Sequence, residues 1–317
     1  VFYDLTGVLQ MGKISVIGAG NVGATTVQRL AELELCEIVM IDIVKGLPQG
    51  KALDLKQAGA IMGYDTEITG SNDYAEITDS DLVINTAGIA RKPGMSREDL
   101  INTNFKIIKE VSENIVKYAP ESIIINVTNP LDIITYATLK ATSFEPGKVF
   151  GMSGALDSGR FANLVAEELK CSKKDVNAMV IGGHGDLMLP LPQYTTVSGI
   201  PLPKLLPEET IAKLAAKTIN GGAEIVSLLK QSSAFYAPSA AISQMVEAVL
   251  KDSKRVFCAS AYLEGEYGLK GIYFGVPVKM GASGIEEILE LELSENQYKV
   301  LRGSAKNIRE GISKLEI

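Results

Sequence analysis

Short apolar runs alternate with amphipathic stretches through the first half of this chain, the pattern of repeated βαβ units and hence of a parallel sheet covered on both faces. Residues 13–17 predict the first strand, opening just after Met11. A glycine-rich turn, a helix over about 22–33 and a β-rich run over 38–43 follow. Two further apolar runs, 82–86 and 123–127, are bounded by turn or polar residues and read as strands, although runs this short also suit a buried helix segment. After about Gly151 the pattern changes. It predicts a helix near 157–169, a β-like run over 176–181 and long helices around 207–229 and 239–250. Hairpins are expected in the Gly-, Tyr- and Phe-rich stretch 264–275, and helical periodicity over 294–315 closes the chain. The expected organisation is an α/β doubly wound parallel sheet over 11–150 and a second, mixed α+β domain over 151–317. For residues 1–10 two readings stay open: an extension outside the fold, or an arm that docks on a neighbour.

The turn after the first strand reads Gly18-Ala19-Gly20-Asn21-Val22-Gly23, a match to G-x-G-x-x-G. Alone that match is weak. Here it follows a predicted strand and opens a predicted helix, so backbone N–H groups and the positive helix end would face a pyrophosphate. A carboxylate is then expected about 20 residues onward, and Asp42 stands at the end of the second strand, placed to accept hydrogen bonds from ribose hydroxyls. Its charge would repel a 2′-phosphate, and the next residue is Ile43 rather than an arginine, which favours NAD over NADP. The plainer reading is a tight turn with Asp42 merely capping it. With the three contexts agreeing, a Rossmann-type first domain is the expectation.

Length and composition narrow the class. The 317 residues suggest about two domains at roughly 150 residues each, and 46% hydrophobic with 22% charged residues is ordinary globular usage rather than disorder. A net charge of −7 opposes binding to nucleic acid or anionic lipid. Cys36, Cys171 and Cys258 are scattered, which disfavours a disulfide framework and a cysteine-built zinc site. No apolar stretch reaches the roughly 18 residues that cross a bilayer, and no leader pattern opens the chain. A cytoplasmic protein without a metal, a membrane or a nucleic-acid partner is expected.

The chain holds one histidine, His184, flanked by glycines in Gly182-Gly183-His184-Gly185-Asp186 directly after a β-like run. A lone histidine is commonly structural, but strand-end loops are where sites gather in α/β folds, and its proton affinity suits acid–base work near neutral pH. Leu156-Asp157-Ser158-Gly159-Arg160 offers an orienting carboxylate and, three residues on, an arginine on the same helix face. Asp157 would hold the imidazole tautomer and Arg160 would grip a substrate carboxylate through two hydrogen bonds. Alternatively they are an N-cap aspartate and an i,i+3 ion pair. Residues 88–99 form a glycine- and proline-punctuated loop carrying Arg91, Lys92 and Arg97. It reads as a lid that brings guanidinium groups to an anion in a dry site, or as a solvated charged loop, the preferred reading for Lys92.

Together, the nucleotide turn, Asp42, the 90–97 loop, Val127-Thr128-Asn129-Pro130, Leu156-Asp157-Ser158-Gly159-Arg160 and Gly182-Gly183-His184-Gly185-Asp186 resemble the NAD-dependent lactate/malate dehydrogenases. The nearest likeness is to the lactate-dehydrogenase-like malate dehydrogenases, and it runs from Met11 onward. The resemblance implies His184 as proton acceptor and donor, Asp157 as its partner and Arg160 as the clamp on the C1 carboxylate. Arg97 becomes the lid arginine that polarises the substrate carbonyl, and Arg91 the residue where malate enzymes carry arginine and lactate enzymes glutamine. Asn129, before a proline commonly in a cis bond, would hydrogen-bond near the reacting carbonyl and touch the cofactor. Ala234 would belong to the small-residue wall of the pocket. Gly18, Gly20, Asn21, Val22, Gly23 and Asp42 would bind NAD. A homotetramer, with a dimer as second choice, and a role in the tricarboxylic acid cycle are also implied. Gly159 departs from the family pattern, where a helix former is usual.

A four-carbon dicarboxylate matches the three arginines, two carboxylates and one reacting oxygen among them. With lactate, Arg91 would be desolvated against a methyl group. The expected activity is malate dehydrogenase. An L-lactate or other 2-hydroxy-acid dehydrogenase is the alternative, and an NAD-dependent glycosidase or a non-catalytic NAD sensor are more distant ones.

Overall fold

The structure, a computed structural model, describes residues 2–3, 9–10, 12–89, 95–230 and 232–315. Met11, predicted to lead into the first strand, lies outside them. β1 (Phe2–Tyr3) and β2 (Leu9–Gln10) form an isolated antiparallel pair. The chain then runs β3 (Gly12–Ile17), α1 (Asn21–Ala31), β4 (Cys36–Ile41), α2 (Leu47–Met62), β5 (Ile68–Ser71), β6 (Leu82–Asn85), α3 (Arg97–Tyr118), β7 (Ile123–Asn126), α4 (Leu131–Thr142) and β8 (Val149–Gly151). These six strands are parallel in the order β5-β4-β3-β6-β7-β8, with the direction of winding reversing between β3 and β6.

Both faces of this sheet are covered, which is why its strands read as continuous apolar runs. Successive residues part to opposite sides. Ile14, Val16, Ile38, Met40, Leu82, Ile84 and Ile125 join the core that also contains Val27 and Leu30 of α1. Ile17, Val39, Ile41, Val83 and Ile124 join another, with Ile108, Val111 and Ile115 of α3 and Ile134 of α4. Each such fully buried side chain stabilises the fold by about 1.5–3 kcal/mol.

The second half contributes α5 (Gly154–Leu169), β9 (Val176–Asn177), β10 (Val180–Gly182), β11 (Met188–Pro190), β12 (Thr196–Val197), β13 (Ile200–Pro201), α6 (Glu208–Leu229), α7 (Tyr236–Leu250), β14 (Arg255–Glu264), β15 (Lys270–Gly281), β16 (Gly284–Ile288) and α8 (Glu295–Ile312). The β14/β15 hairpin joins β8 at the pair Ser260–Gly151 and β10 at Gly275–Gly182, so the sheet continues unbroken through both halves of the chain. A third sheet of β9, β12 and β13 is separate. Among the described residues no helix is long and apolar enough to cross a membrane.

Two sequence expectations change. The run 176–181 is not one strand: the Met179 carbonyl accepts from Leu191 N (2.8 Å), its N–H donates to Thr195 Oγ1 (3.2 Å), and Val180 N donates to Ser158 Oγ (3.0 Å). With those groups committed elsewhere, β9 and β10 enter different sheets. The hairpin at 264–275 is the tip of a longer one, whose strands are buried on both faces and so show no alternation.

Candidate functional site

One row of paired residues crosses the main sheet: Ser71, Ile41, Ile17, Asn85, Asn126, Gly151, Ser260, Gly275 and Gly182, each the register partner of the next. The candidate residues follow it closely along the chain. Asp42 comes after Ile41, Gly18 after Ile17, Asn129 three residues after Asn126, Asp157 in the helix after Gly151, and His184 two residues after Gly182. Sheet pairing therefore gathers segments more than 160 residues apart at one edge.

The glycine turn has a separate reason at each glycine. Gly18 has φ +102°, and a Cβ there would lie 2.6 Å from Thr86 Oγ1. At Gly23 a Cβ would lie 1.8 Å from the Gly18 carbonyl oxygen, so α1 packs this tightly on the turn only without a side chain. Around Gly20 the space is open to 4 Å. Gly20 caps α1 without a side-chain hydrogen bond, and the first turn carries no acid, which leaves a positive helix end facing open space as a pyrophosphate requires. Gly23→Ala is expected to cost several kcal/mol through that backbone clash, read as a large fall in melting temperature; an unchanged melting curve would contradict the packing.

Asp42 is set rather than free. Its Oδ2 accepts from Ala19 N (2.7 Å) and its Oδ1 from Val44 N (2.9 Å), which ties the carboxylate to the glycine turn. Each oxygen keeps a further lone pair for a ribose hydroxyl. Asn21 donates to Ser232 Oγ (3.1 Å), linking the turn to the segment between α6 and α7. Open glycine backbone, uncapped helix end and fixed carboxylate together fit a dinucleotide.

His184 lies in the turn between β10 and β11, and its Nδ1 is 2.9 Å from Asp157 Oδ2. The other Asp157 oxygen accepts from Arg160 Nη1 at 3.0 Å. The Asp157 side chain is 2% exposed, His184 12% and Arg160 15%, so the cluster is largely dry yet open at its outer members. A carboxylate partner makes Nδ1 the donor and leaves Nε2 available for proton exchange. Burial pulls the imidazole's proton affinity down, while Asp157 and then Asp132 raise it, with Arg160 opposing; the net result lies above the ordinary 6.5. Arg160 packs against Gly221 and Gly222 of α6, where a Cβ would sit 3.6–3.7 Å from it.

A pocket of about 270 Å³ opens beside the imidazole, lined by His184, Asn129, Asp132 and the apolar Leu100, Leu187 and Ile308 among others. Asn129 is exposed and precedes the cis bond to Pro130. Its carbonyl accepts from Asn104 Nδ2 (2.7 Å), and the same buried amide bonds both backbone groups of Ile89. Ala234 is partly exposed between α6 and α7 and does not line this pocket. Arg91 and Lys92 lie outside the described residues. Arg97 opens α3 behind a Ser96/Asp99 capping box, with its side chain outside the description.

Asn104 and Asp132 were missed by sequence reasoning. Asp132 reads in sequence as an ordinary first-turn acid, and only its position three residues after Asn129 hinted at more. Asn104, mid-helix, gave no signal.

Residues 12–151 match the family described as lactate/malate dehydrogenase, NAD binding domain, and residues 154–316 match the lactate/malate dehydrogenase alpha/beta C-terminal domain. A malate dehydrogenase of Methanosarcina mazei is 76% identical over 307 residues, covering 97% of this chain and all of that protein. The apo malate dehydrogenase of Picrophilus torridus superposes with a TM-score of 0.93 at 46% identity, covering 95% of this chain and 96% of its own. The Cryptosporidium parvum lactate dehydrogenase complexed with lactic acid and nicotinamide adenine dinucleotide gives 0.93 at 38% identity, covering 96% and 98%.

Proposed function

This chain belongs to the lactate/malate dehydrogenase family, and on that footing we propose that it is an NAD-dependent malate dehydrogenase interconverting (S)-malate and oxaloacetate. The observation that carries the chemistry is the chain's one histidine, hydrogen-bonded through Nδ1 to a buried carboxylate that also pairs Arg160. The choice of malate rests on Arg91 and on the full-length relatives that bear that name.

Gly18, Gly20, Asn21, Val22 and Gly23 would hold the pyrophosphate, Asp42 the adenosine ribose, and Asn129 the nicotinamide end. When bound, NAD supplies the hydride acceptor of the oxidation and, as NADH, the donor of the reduction. In the oxidation neutral His184 takes the hydroxyl proton at Nε2, and Asp157 stabilises the resulting imidazolium. In the reduction the protonated ring returns that proton to the carbonyl oxygen. Arg160 grips the C1 carboxylate, Arg91 the distal one, Arg97 steadies charge on the reacting oxygen, and Asn129 donates a hydrogen bond beside it. Ala234 would form part of the pocket wall. Reduction therefore fails as pH rises through the His184 titration, and oxidation rises through it.

The division of labour falls near residue 150, with 11–150 holding the cofactor and 151–317 most of the substrate machinery, behind the 1–10 extension. A cytoplasmic homotetramer, ahead of a dimer, serving the tricarboxylic acid cycle completes the reading. Light scattering separates the two assemblies.

Initial rates of NADH consumption test the activity: oxaloacetate should exceed pyruvate in kcat/KM by about 10²-fold or more, the discrimination an unpaired buried guanidinium enforces. Arg91→Gln should lower kcat/KM for oxaloacetate far more than for pyruvate. Equal losses on both substrates would remove Arg91 from this role.

A further inference from the structure

The imidazole has a second acidic neighbour that acts through the main chain. Asp132, in the first turn of α4, is 5% exposed, and its Oδ2 accepts from the backbone N–H of His184 at 3.0 Å. Its Oδ1 accepts from the Ser260 hydroxyl at 2.6 Å. Ser260 belongs to the register row, paired with both Gly151 and Gly275, and Gly275 pairs with Gly182 at the foot of the histidine turn. A Cβ at Gly275 would strike the Gly182 carbonyl at 2.3 Å, and one at Gly151 would lie 3.0 Å from Ser260 Cβ. Small residues at the row thus let α4, β14 and the histidine turn close on a single carboxylate.

We propose that Asp132 is a second carboxylate partner of His184, a positioning residue that pins the histidine's backbone to the central sheet through Ser260 and places another negative charge beside the ring. It rests on the dehydrogenase reading for its catalytic meaning. Asp157 fixes the ring from the side of α5; Asp132 fixes the chain that carries it from the side of α4. Asp132 also lines the pocket shared by His184 and Asn129, and it follows Asn129 by three residues, so the proton-carrying turn and the segment bearing Asn129 share an anchor.

Among the described residues, the charged groups facing the imidazole are Asp157 and Arg160 on α5 and Asp132 on α4, with Asp186 exposed on its own turn. Ser304 of α8, which accepts from Gly183 N, does not titrate. Burial pushes the Asp132 carboxyl up, opposed by the hydrogen bonds from Ser260 and the His184 amide, and its field favours the imidazolium.

Because His184 is the chain's one histidine, untagged protein labelled at the imidazole carbon gives a single titrating NMR signal that needs no turnover. Asp132→Asn keeps the shape and removes the charge: the amide oxygen still accepts from the His184 N–H, and the Ser260 hydroxyl, which can turn, accepts from the amide nitrogen instead of donating. Its titration midpoint is expected to fall by about half to one pH unit. The alkaline limb of oxaloacetate reduction should move down equally, while NADH affinity changes less than about twofold. At a pH near the midpoint malate oxidation then gains relative to reduction, which general loosening of the site does not produce. Ser260→Ala removes the anchor alone and should lower kcat by about threefold to tenfold with KM unchanged. An unshifted or raised midpoint in Asp132→Asn, or wild-type kcat in Ser260→Ala, overturns the proposal. Absence of oxaloacetate turnover in the wild type overturns the dehydrogenase reading and leaves the imidazole titration to judge Asp132.

Discussion

His184→Asn is expected to leave a folded protein that binds NADH with near-native affinity and turns over about 10²- to 10⁴-fold more slowly in both directions, the range lost with a positioned acid–base group. The asparagine amide can still donate toward Asp157 Oδ2, so the buried carboxylate keeps a partner and the core around α5 has little cause to rearrange. What disappears is the imidazole proposed to exchange the proton. The glycine turn and Asp42 do not touch the imidazole, which is why binding and turnover should separate. NADH fluorescence titration and steady-state rates on the same sample check both halves. Retention of more than about a tenth of wild-type kcat would assign the proton transfer to another group.

Asp157→Asn should be nearly as severe, with a different signature. Both carboxylate oxygens accept, one from His184 Nδ1 and the other from Arg160 Nη1. An amide presents one acceptor and one donor, so whichever way it lies a donor meets a donor unless a partner yields. If the ring yields, its proton moves to Nε2 and the base is lost. If Arg160 yields, a guanidinium at 15% exposure is left without its ion pair, and the grip proposed for it on the substrate carboxylate loses its aim. With both arrangements populated, losses in kcat and rises in KM should appear together, with kcat/KM down by about 10³-fold, roughly 4 kcal/mol in all. Asp157 is also the strongest influence raising the imidazole against burial. The rising limb of malate oxidation should accordingly shift to lower pH. A loss below about fivefold, or a limb that stays in place, would mean that Asp157 only packs.

The cofactor half of the site was legible because its geometry is local. Gly18, Gly20 and Gly23 are spaced by a tight strand-to-helix turn, and Asp42 closes on that turn after one helix and one strand. Asp157 and Arg160 were legible as a pair for the same reason, three residues apart on a helix. Their meeting with His184 across 27 residues was legible only as chemistry, a base in want of an orienting carboxylate; the hydrophobic pattern could not place it, because it depends on a register row passing through a hairpin of which that pattern showed only the tip. β14 and β15 are buried on both faces and show no period of two, while α4 is buried nearly all round and shows no period of 3.6. α2 failed in the opposite sense, with only Pro48, Ala52 and Gly59 buried, so its exposed surface left no stripe to read. Asp132 inherits its invisibility from α4. Arg91, proposed to set specificity, lies outside the described residues.

The joins at Gly151–Ser260 and Gly182–Gly275 are each a single rung, whereas β14 and β15 pair along nearly their whole length. The two halves of the sheet thus meet through two single-rung joins, and Gly182, two residues before His184, belongs to one of them. A displacement of the hairpin would therefore reach the histidine turn through one rung rather than a ladder. Packing changes on the far side of β14 and β15, well away from the pocket, would thus be felt at His184 through a narrow connection.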